Sequence, residues 1–245
     1  MEEFSCKTRI LSGPGACSAL STMGARRLFL VTDPFFVKNG TAERIIGLAN
    51  CQESEVFDKV QPDPTVELAA EGTARLRAFA PDLLVALGGG SAMDCAKAMA
   101  FFAKGTYKTV AIPTTSGSGS EVTDFAILTH DHVKHPLVDK RIRPDVAILD
   151  SDLLTELPKS LIAETGFDVL THGAEAYVAR DAGTITDLYA RESFSSAFAA
   201  LPPSVLYLRT QPSPAAPVLR PAREESIPVH VRSSFLPQAG GTWIT

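Results

Sequence analysis

The chain has 245 residues, 45% hydrophobic and 21% charged, with a formal net charge of −5. That apolar content supports a buried core, and the length suits one large domain or two smaller ones. The mild acidic balance, without blocks of like charge, argues against a nucleic-acid partner. The acidic start Met1-Glu2-Glu3 and the lack of ~18 uninterrupted apolar residues argue against a secretory leader or a membrane helix.

Cys6, Cys17, Cys51 and Cys95 form no Cys-x-x-Cys pair, which predicts reduced thiols in a cytoplasmic protein. Residues 27–32, 55–60 and 82–87 are short, β-rich runs with apolar residues grouped rather than alternating, the pattern of strands covered on both faces in a parallel sheet. Between them, Leu68, Ala69, Leu76 and Phe79, with Thr73, recur at helical spacing and predict a helix over 66–79, with Asp63 before Pro64 as its start.

After the third strand, Leu87-Gly88-Gly89-Gly90-Ser91 turns into a helix over 95–102. A strand over 109–113 leads into Thr114-Thr115-Ser116-Gly117-Ser118-Gly119-Ser120-Glu121-Val122-Thr123, and residues 146–150 form a last strand. The alternation predicts an α/β fold with right-handed crossovers. From Ser151 the texture is helical, over 151–178 and 185–200.

Glycines at a strand-to-helix turn let backbone amides approach a pyrophosphate at the helix N-terminus. The same glycines also serve tight turns that bind nothing. A second Ser/Gly loop after a strand is by itself equally a solvated linker. Two such loops at strand ends converge on one crevice in a parallel sheet. Asp168 and His172, four apart on a predicted helix, can reach one cation or form a surface pair. His130, His132, His135 and Asp131 read as a solvated turn.

Five segments together resemble the iron-dependent alcohol dehydrogenases, closest to the 1-propanol and butanol dehydrogenase branch. They are Gly88-Gly89-Gly90-Ser91 with Asp94, Pro113 to Thr123, Lys134-His135-Pro136-Leu137, Pro144-Asp145-Val146-Ala147-Ile148-Leu149-Asp150, and the helix of Asp168 and His172. The likeness covers about 4–201. It implies a Rossmann-like, dehydroquinate synthase-like parallel-sheet NAD-binding domain over 1–152. The beginning of an all-α metal-binding domain follows over 153–201. It also implies that Gly89, Gly90, Ser91 and Asp94 hold the dinucleotide phosphates and neighbouring groups, that Thr114, Thr115 and Ser118 line the cofactor cleft, and that Lys134 lies near the cofactor. Asp33 would meet the adenosine ribose, where a carboxylate favours NAD over NADP; without the resemblance Asp33 is equally a turn residue. Asp168 and His172 would be metal ligands, for Fe(II) or equally Zn(II).

The implied reaction is hydride transfer between a primary alcohol and NAD, giving the aldehyde, in a cytoplasmic enzyme of a branch that includes microcompartment-associated members. A homodimer is compatible with it. Gly173, where alanine is usual, is expected to loosen the helix by about 1 kcal/mol. The resemblance calls for two further histidines, but only His230 follows, and residues 202–245 are proline-rich with no Lys, Asp, Asn, Cys or Met. The expectation is a truncated helical domain, an incomplete metal site, impaired turnover and a disordered, non-family tail, whose composition is that of a shifted reading frame or else of a genuine disordered segment. The alternatives are an inactive NAD-binding remnant, or an enzyme of the glycerol dehydrogenase type.

Overall fold

The computed structural model describes residues 6–155 and 157–207, with 202–207 by backbone alone. In chain order the elements open with β1 (Arg9–Ser12), β2 (Arg27–Val31), α1 (Pro34–Lys38), α2 (Thr41–Ala49), β3 (Glu53–Phe57) and α3 (Val66–Phe79). They continue with β4 (Leu83–Gly88), α4 (Gly90–Ala103), β5 (Lys108–Pro113), β6 (Phe125–His130), β7 (Val133–Val138), β8 (Val146–Leu149), α5 (Lys159–Tyr177) and α6 (Thr184–Tyr207). The chain packs as two units. One holds Lys7–Thr114 and Ser120–Ser151; the other holds Thr115–Gly119 and the described residues from Asp152 to Tyr207.

In the first unit six strands form one parallel sheet in the order β1-β8-β5-β4-β2-β3. Every residue of β4 and β8 is buried, as continuous apolar strands between two helical layers require. Phe29, Leu30, Val85, Leu87, Ile112 and Ile148 are fully inside. A side chain of this size contributes ~1.5–3 kcal/mol when taken from water. α3 packs on α4 and α2 on the 3-10 segment Ala16–Thr22.

The β6–β7 hairpin stands outside the sheet and leans on α4, Leu128 joining Ala69 and Ala98. Its two-residue turn, Asp131 and His132, has positive φ at both positions, which matches the twist of paired strands. The histidine-rich turn expected from the sequence is therefore the tip of a hairpin, and His130 Nδ1 lies 3.1 Å from Glu67 Oε1.

Two local expectations change. α3 starts after Thr65, whose hydroxyl accepts from Leu68 N at 3.1 Å, and not at Asp63. Asp63 has φ +56°, so it lies outside the right-handed helical region, which a residue before proline avoids in any case. The proline pair at 202 and 203 also does not end the last helix, since α6 runs on to Tyr207. Proline's fixed φ is itself compatible with a helix, and each of the two removes one amide donor from the ladder.

In the second unit α5 and α6 form a helical hairpin with glycines at the contact. A Cβ on Gly173 would lie 3.1 Å from Phe194 Cβ and 3.3 Å from Ala190 O; one on Gly166 would meet Leu201. Gly173 faces early α6 and Gly166 late α6, which sets the helices antiparallel. Gly173, expected to loosen α5, is the residue that lets α6 approach. The tail expected to be disordered lies, beyond Tyr207, outside the described residues. No described helix is long and apolar enough to cross a membrane.

Candidate functional site

Strand order reverses between β2 and β4: β3 lies on one side of β2, while β4, β5 and β8 follow on the other. Connections that leave neighbouring strands in opposite directions open a crevice beyond their carboxyl ends, where open α/β sheets receive ligands. Asp33 and Gly88 stand at those ends. At the amino-terminal edge the carboxylates are committed to tying strands together. There Asp82 accepts from Arg26 N at 3.0 Å and Arg27 N at 3.1 Å, and Asp145 accepts from Thr109 N at 2.7 Å.

Gly88 has φ +147°, and a Cβ there would sit 2.7 Å from Ala92 Cβ and 3.7 Å from Asp33 Oδ2. No side chain fits the turn, so its backbone faces the crevice bare. Gly89 is the N-cap of α4 without a side-chain cap, and Gly90 and Ser91 form the first turn, whose amides have no partner within the helix and are of the kind that can receive an anion. Thr114 is buried and its N donates to Gly88 O at 3.0 Å, joining the start of the second loop to the glycine turn.

Asp33 caps α1, one oxygen accepting from Phe35 N at 2.8 Å and Phe36 N at 3.4 Å. A cleft beside it is lined by Pro34, Asp58, Lys59, Pro62, Asp63 and Thr65. Lys134, on β7, reaches the same rim through an ion pair with Asp63 at 2.8 Å. Asp94 is drawn inward: Oδ1 accepts from Ser120 Oγ at 2.7 Å and Oδ2 from Ile127 N at 3.0 Å. Burial raises its pKa, while Lys97, Ser120 and Ile127 N oppose the rise. With both oxygens engaged, Asp94 braces the loop from behind.

In the second unit Asp168 and His172 lie one turn apart on α5, with Oδ1 and Nε2 at 3.7 Å. Thr115 and Ser118 belong to the loop packed on this helix. Ser116 Oγ is 3.2 Å from Thr165 Oγ1, and a Cβ on Gly117 would lie 2.8 Å from Asp168 Oδ2 and 3.0 Å from Thr165 O. The loop backbone therefore lies against the carboxylate that shares a face with His172. One carboxylate and one imidazole fit part of a metal site. A catalytic site generally holds three protein ligands, and among the described residues no group of three His, Cys, Asp or Glu is placed to hold a cation. His230 is outside the described residues.

Sequence reasoning missed Lys97, Ser120, Gly117 and Asp150. Lys97 was detectable as the lone cation in the apolar helix Ala92-Met93-Asp94-Cys95-Ala96-Lys97-Ala98-Met99. Asp150 clamps the amino-terminal segment, accepting from Gly15 N at 3.0 Å and Cys17 N at 2.9 Å. Nothing local to its own segment signals that role.

Residues 7–151 match the iron-containing alcohol dehydrogenase family, and the chain belongs to it. It is 36% identical to the 1-propanol dehydrogenase PduQ of Citrobacter freundii over 84% of this chain and 57% of that protein. It is also 36% identical to the NADPH-dependent butanol dehydrogenase of Clostridium saccharobutylicum, over 79% of this chain and 56% of that protein. The sulfoacetaldehyde reductase of Bifidobacterium kashiwanohense, solved in complex with NAD+, superposes with a TM-score of 0.79 at 27% identity, covering 96% of this chain and 64% of that one. The chain thus spans just over half the length of the two curated relatives.

Proposed function

We propose that the chain is an NAD-dependent, metal-dependent oxidoreductase that interconverts a small primary alcohol and its aldehyde. The observation that carries this reading is the side-chain-free turn at Gly88, at the reversal of strand order, with Asp33 beside it. Gly89, Gly90 and Ser91 would present backbone amides to the pyrophosphate, while Asp94, on the same helix, would hold the exit of the second loop at Ser120 and Ile127. Thr114, Thr115 and Ser118 would line the cleft, and Lys134 would stand at its rim. Asp33 Oδ2 would accept from a free ribose 2′-hydroxyl and repel a 2′-phosphate, which favours NAD. Since one relative is named for NADPH, cofactor preference must come from residues of this chain.

Asp168 and His172 would hold Fe(II) or Zn(II). Bound there, the cation would acidify the alcohol while NAD accepts the hydride. The protein's own part is to hold carboxylate and imidazole on one helical face and to keep the Gly117 backbone against the carboxylate. A cytoplasmic setting, alone or with a microcompartment, and a homodimer are part of this reading.

The test is anaerobic loading with Fe(II) or Zn(II), then NADH formation from 1-propanol. Turnover that His172→Ala abolishes supports the reading; turnover indifferent to metal and to His172→Ala refutes it. A second reading, a dinucleotide-binding chain without turnover, is favoured by the two-ligand count among the described residues. It predicts NAD+ binding by calorimetry with no NADH formed under any metal.

A further inference from the structure

Inside the first unit, α4 carries a charge that a purely apolar helix would not. Lys97 is 4% exposed, and its Nζ donates to Ser120 Oγ at 2.7 Å, Thr123 Oγ1 at 3.0 Å and Phe125 O at 2.8 Å. Three acceptors match the three donors of an ammonium group. Ser120 Oγ passes the interaction on, donating to Asp94 Oδ1 at 2.7 Å. Lys97 and Asp94, one helical turn apart, thus grip the stretch from Ser120 to Ile127 at two points.

That stretch is the exit of the loop that follows β5. The entry is held separately by Thr114 N on Gly88 O. Burying an ammonium is costly unless each donor is satisfied. Burial accordingly drives Lys97 down to about 8, against the pull of Asp94, Glu121 and Asp124, while Arg143 adds to the lowering. Met93 and Met99 show that this helix accommodates unbranched apolar side chains at buried positions. What the lysine does that a methionine there would not is hold two hydroxyls and a carbonyl of the loop exit.

We propose that Lys97 is a positioning residue for the dinucleotide: through Ser120 and Thr123 it keeps the exit of the β5 loop in the form that receives the cofactor, without touching the cofactor. The inference rests on reading the two loops as the dinucleotide site. A loop held at entry and exit before binding loses less conformational freedom on binding, and affinity rises accordingly.

The experiment is calorimetry of NAD+ on the full chain, for wild type, Lys97→Met and Lys97→Arg, between about pH 7 and pH 9.5, with melting curves alongside. Lys97→Met is expected to lower affinity about tenfold or more, and to lower the melting temperature as well, because it leaves Asp94, Glu121 and three acceptors without their cation; recovery by Lys97→Arg and the pH profile are the readouts that a merely structural lysine would not move. Lys97→Arg keeps a cation and recovers most of the affinity. Wild-type affinity is expected to fall as pH passes about 8, and that of Lys97→Arg to stay level.

A folded Lys97→Met with undiminished affinity overturns the proposal, as does an identical pH profile in wild type and Lys97→Arg. If neither variant folds, a level wild-type affinity across this range is decisive against it. A wild-type chain that binds neither NAD+ nor NADP+ removes the reading of the site itself, an outcome distinct from equal binding by wild type and variant.

Discussion

Replacing Gly173 by alanine sets two effects of similar size against each other. Alanine favours a helix interior over glycine by about 1 kcal/mol. The added Cβ, however, would stand 3.1 Å from Phe194 Cβ and 3.3 Å from both Ala190 O and Phe194 N. Two of those three atoms are backbone, so relief requires α6 to move as a body by a few tenths of an ångström, and overpacking of this kind costs roughly 1–3 kcal/mol. The packing term outweighs the propensity term, and Gly173→Ala is expected to destabilise the helical unit by about 1 kcal/mol. Gly166→Ala is the matched control. Its Cβ meets only the side chain of Leu201, both methyls and Cγ, and no backbone atom; Leu201 must change rotamer, which offsets part of the helix gain and leaves the variant about neutral and no more than about 1 kcal/mol more stable. Urea unfolding followed by far-ultraviolet circular dichroism separates the two. A Gly173→Ala chain as much stabilised as Gly166→Ala would show that α5 and α6 are not in close contact there, and the account of this glycine would fail.

Gly117→Ala would force its Cβ to 2.8 Å from Asp168 Oδ2 and turn the carboxylate away from His172, so zinc affinity in a chelator-competition titration should fall about tenfold; an unchanged affinity would mean that the loop does not set the ligand. Asp33→Gly should shrink the preference for NAD+ over NADP+ measured by calorimetry, and an unaltered ratio would leave Asp33 as a helix cap only. Lys97 also makes fold stability depend on pH. Its folded value of about 8 lies below its ordinary 10.5, so the unfolded chain keeps the proton longer and stability rises with pH across that interval. The upper bound is on the order of 3 kcal/mol, at ~1.4 kcal/mol per pKa unit. Cys95, pushed up to about 12 by burial, has the opposite sign and costs stability above its ordinary 9.0. The difference between wild type and Lys97→Met isolates the lysine, and a difference that does not grow between about pH 8 and pH 10 would refute the assignment.

The buried strands were readable because a parallel sheet leaves no polar face. β2, β4, β5 and β8 announce themselves as unbroken apolar runs, and α3 by its helical stripe. β1 was missed because it is a four-residue edge strand with exposed ends. The β6–β7 hairpin was missed because β7 is exposed along almost its whole length and has no alternation to detect. At the site, glycine turns and the i, i+4 pair are local patterns and were found. The grip of Lys97 on Ser120 and the approach of Gly117 to Asp168 join residues far apart in sequence, and only packing brings them together.

If Asp33 meets the dinucleotide as proposed, the division of labour within its carboxylate limits how cofactor choice can be redesigned. One oxygen terminates α1 by accepting from Phe35 N; the other points toward Gly88. A search for NADP(H) users that simply deletes the charge, with alanine for instance, would also uncap the helix, a loss of about 1 kcal/mol. Serine, threonine or asparagine keeps an acceptor for the helix amides while removing the charge that, on the proposed reading, would repel a 2′-phosphate. Mutational paths toward NADP(H) are therefore expected to pass through these three residues, and libraries at this position can be kept correspondingly small.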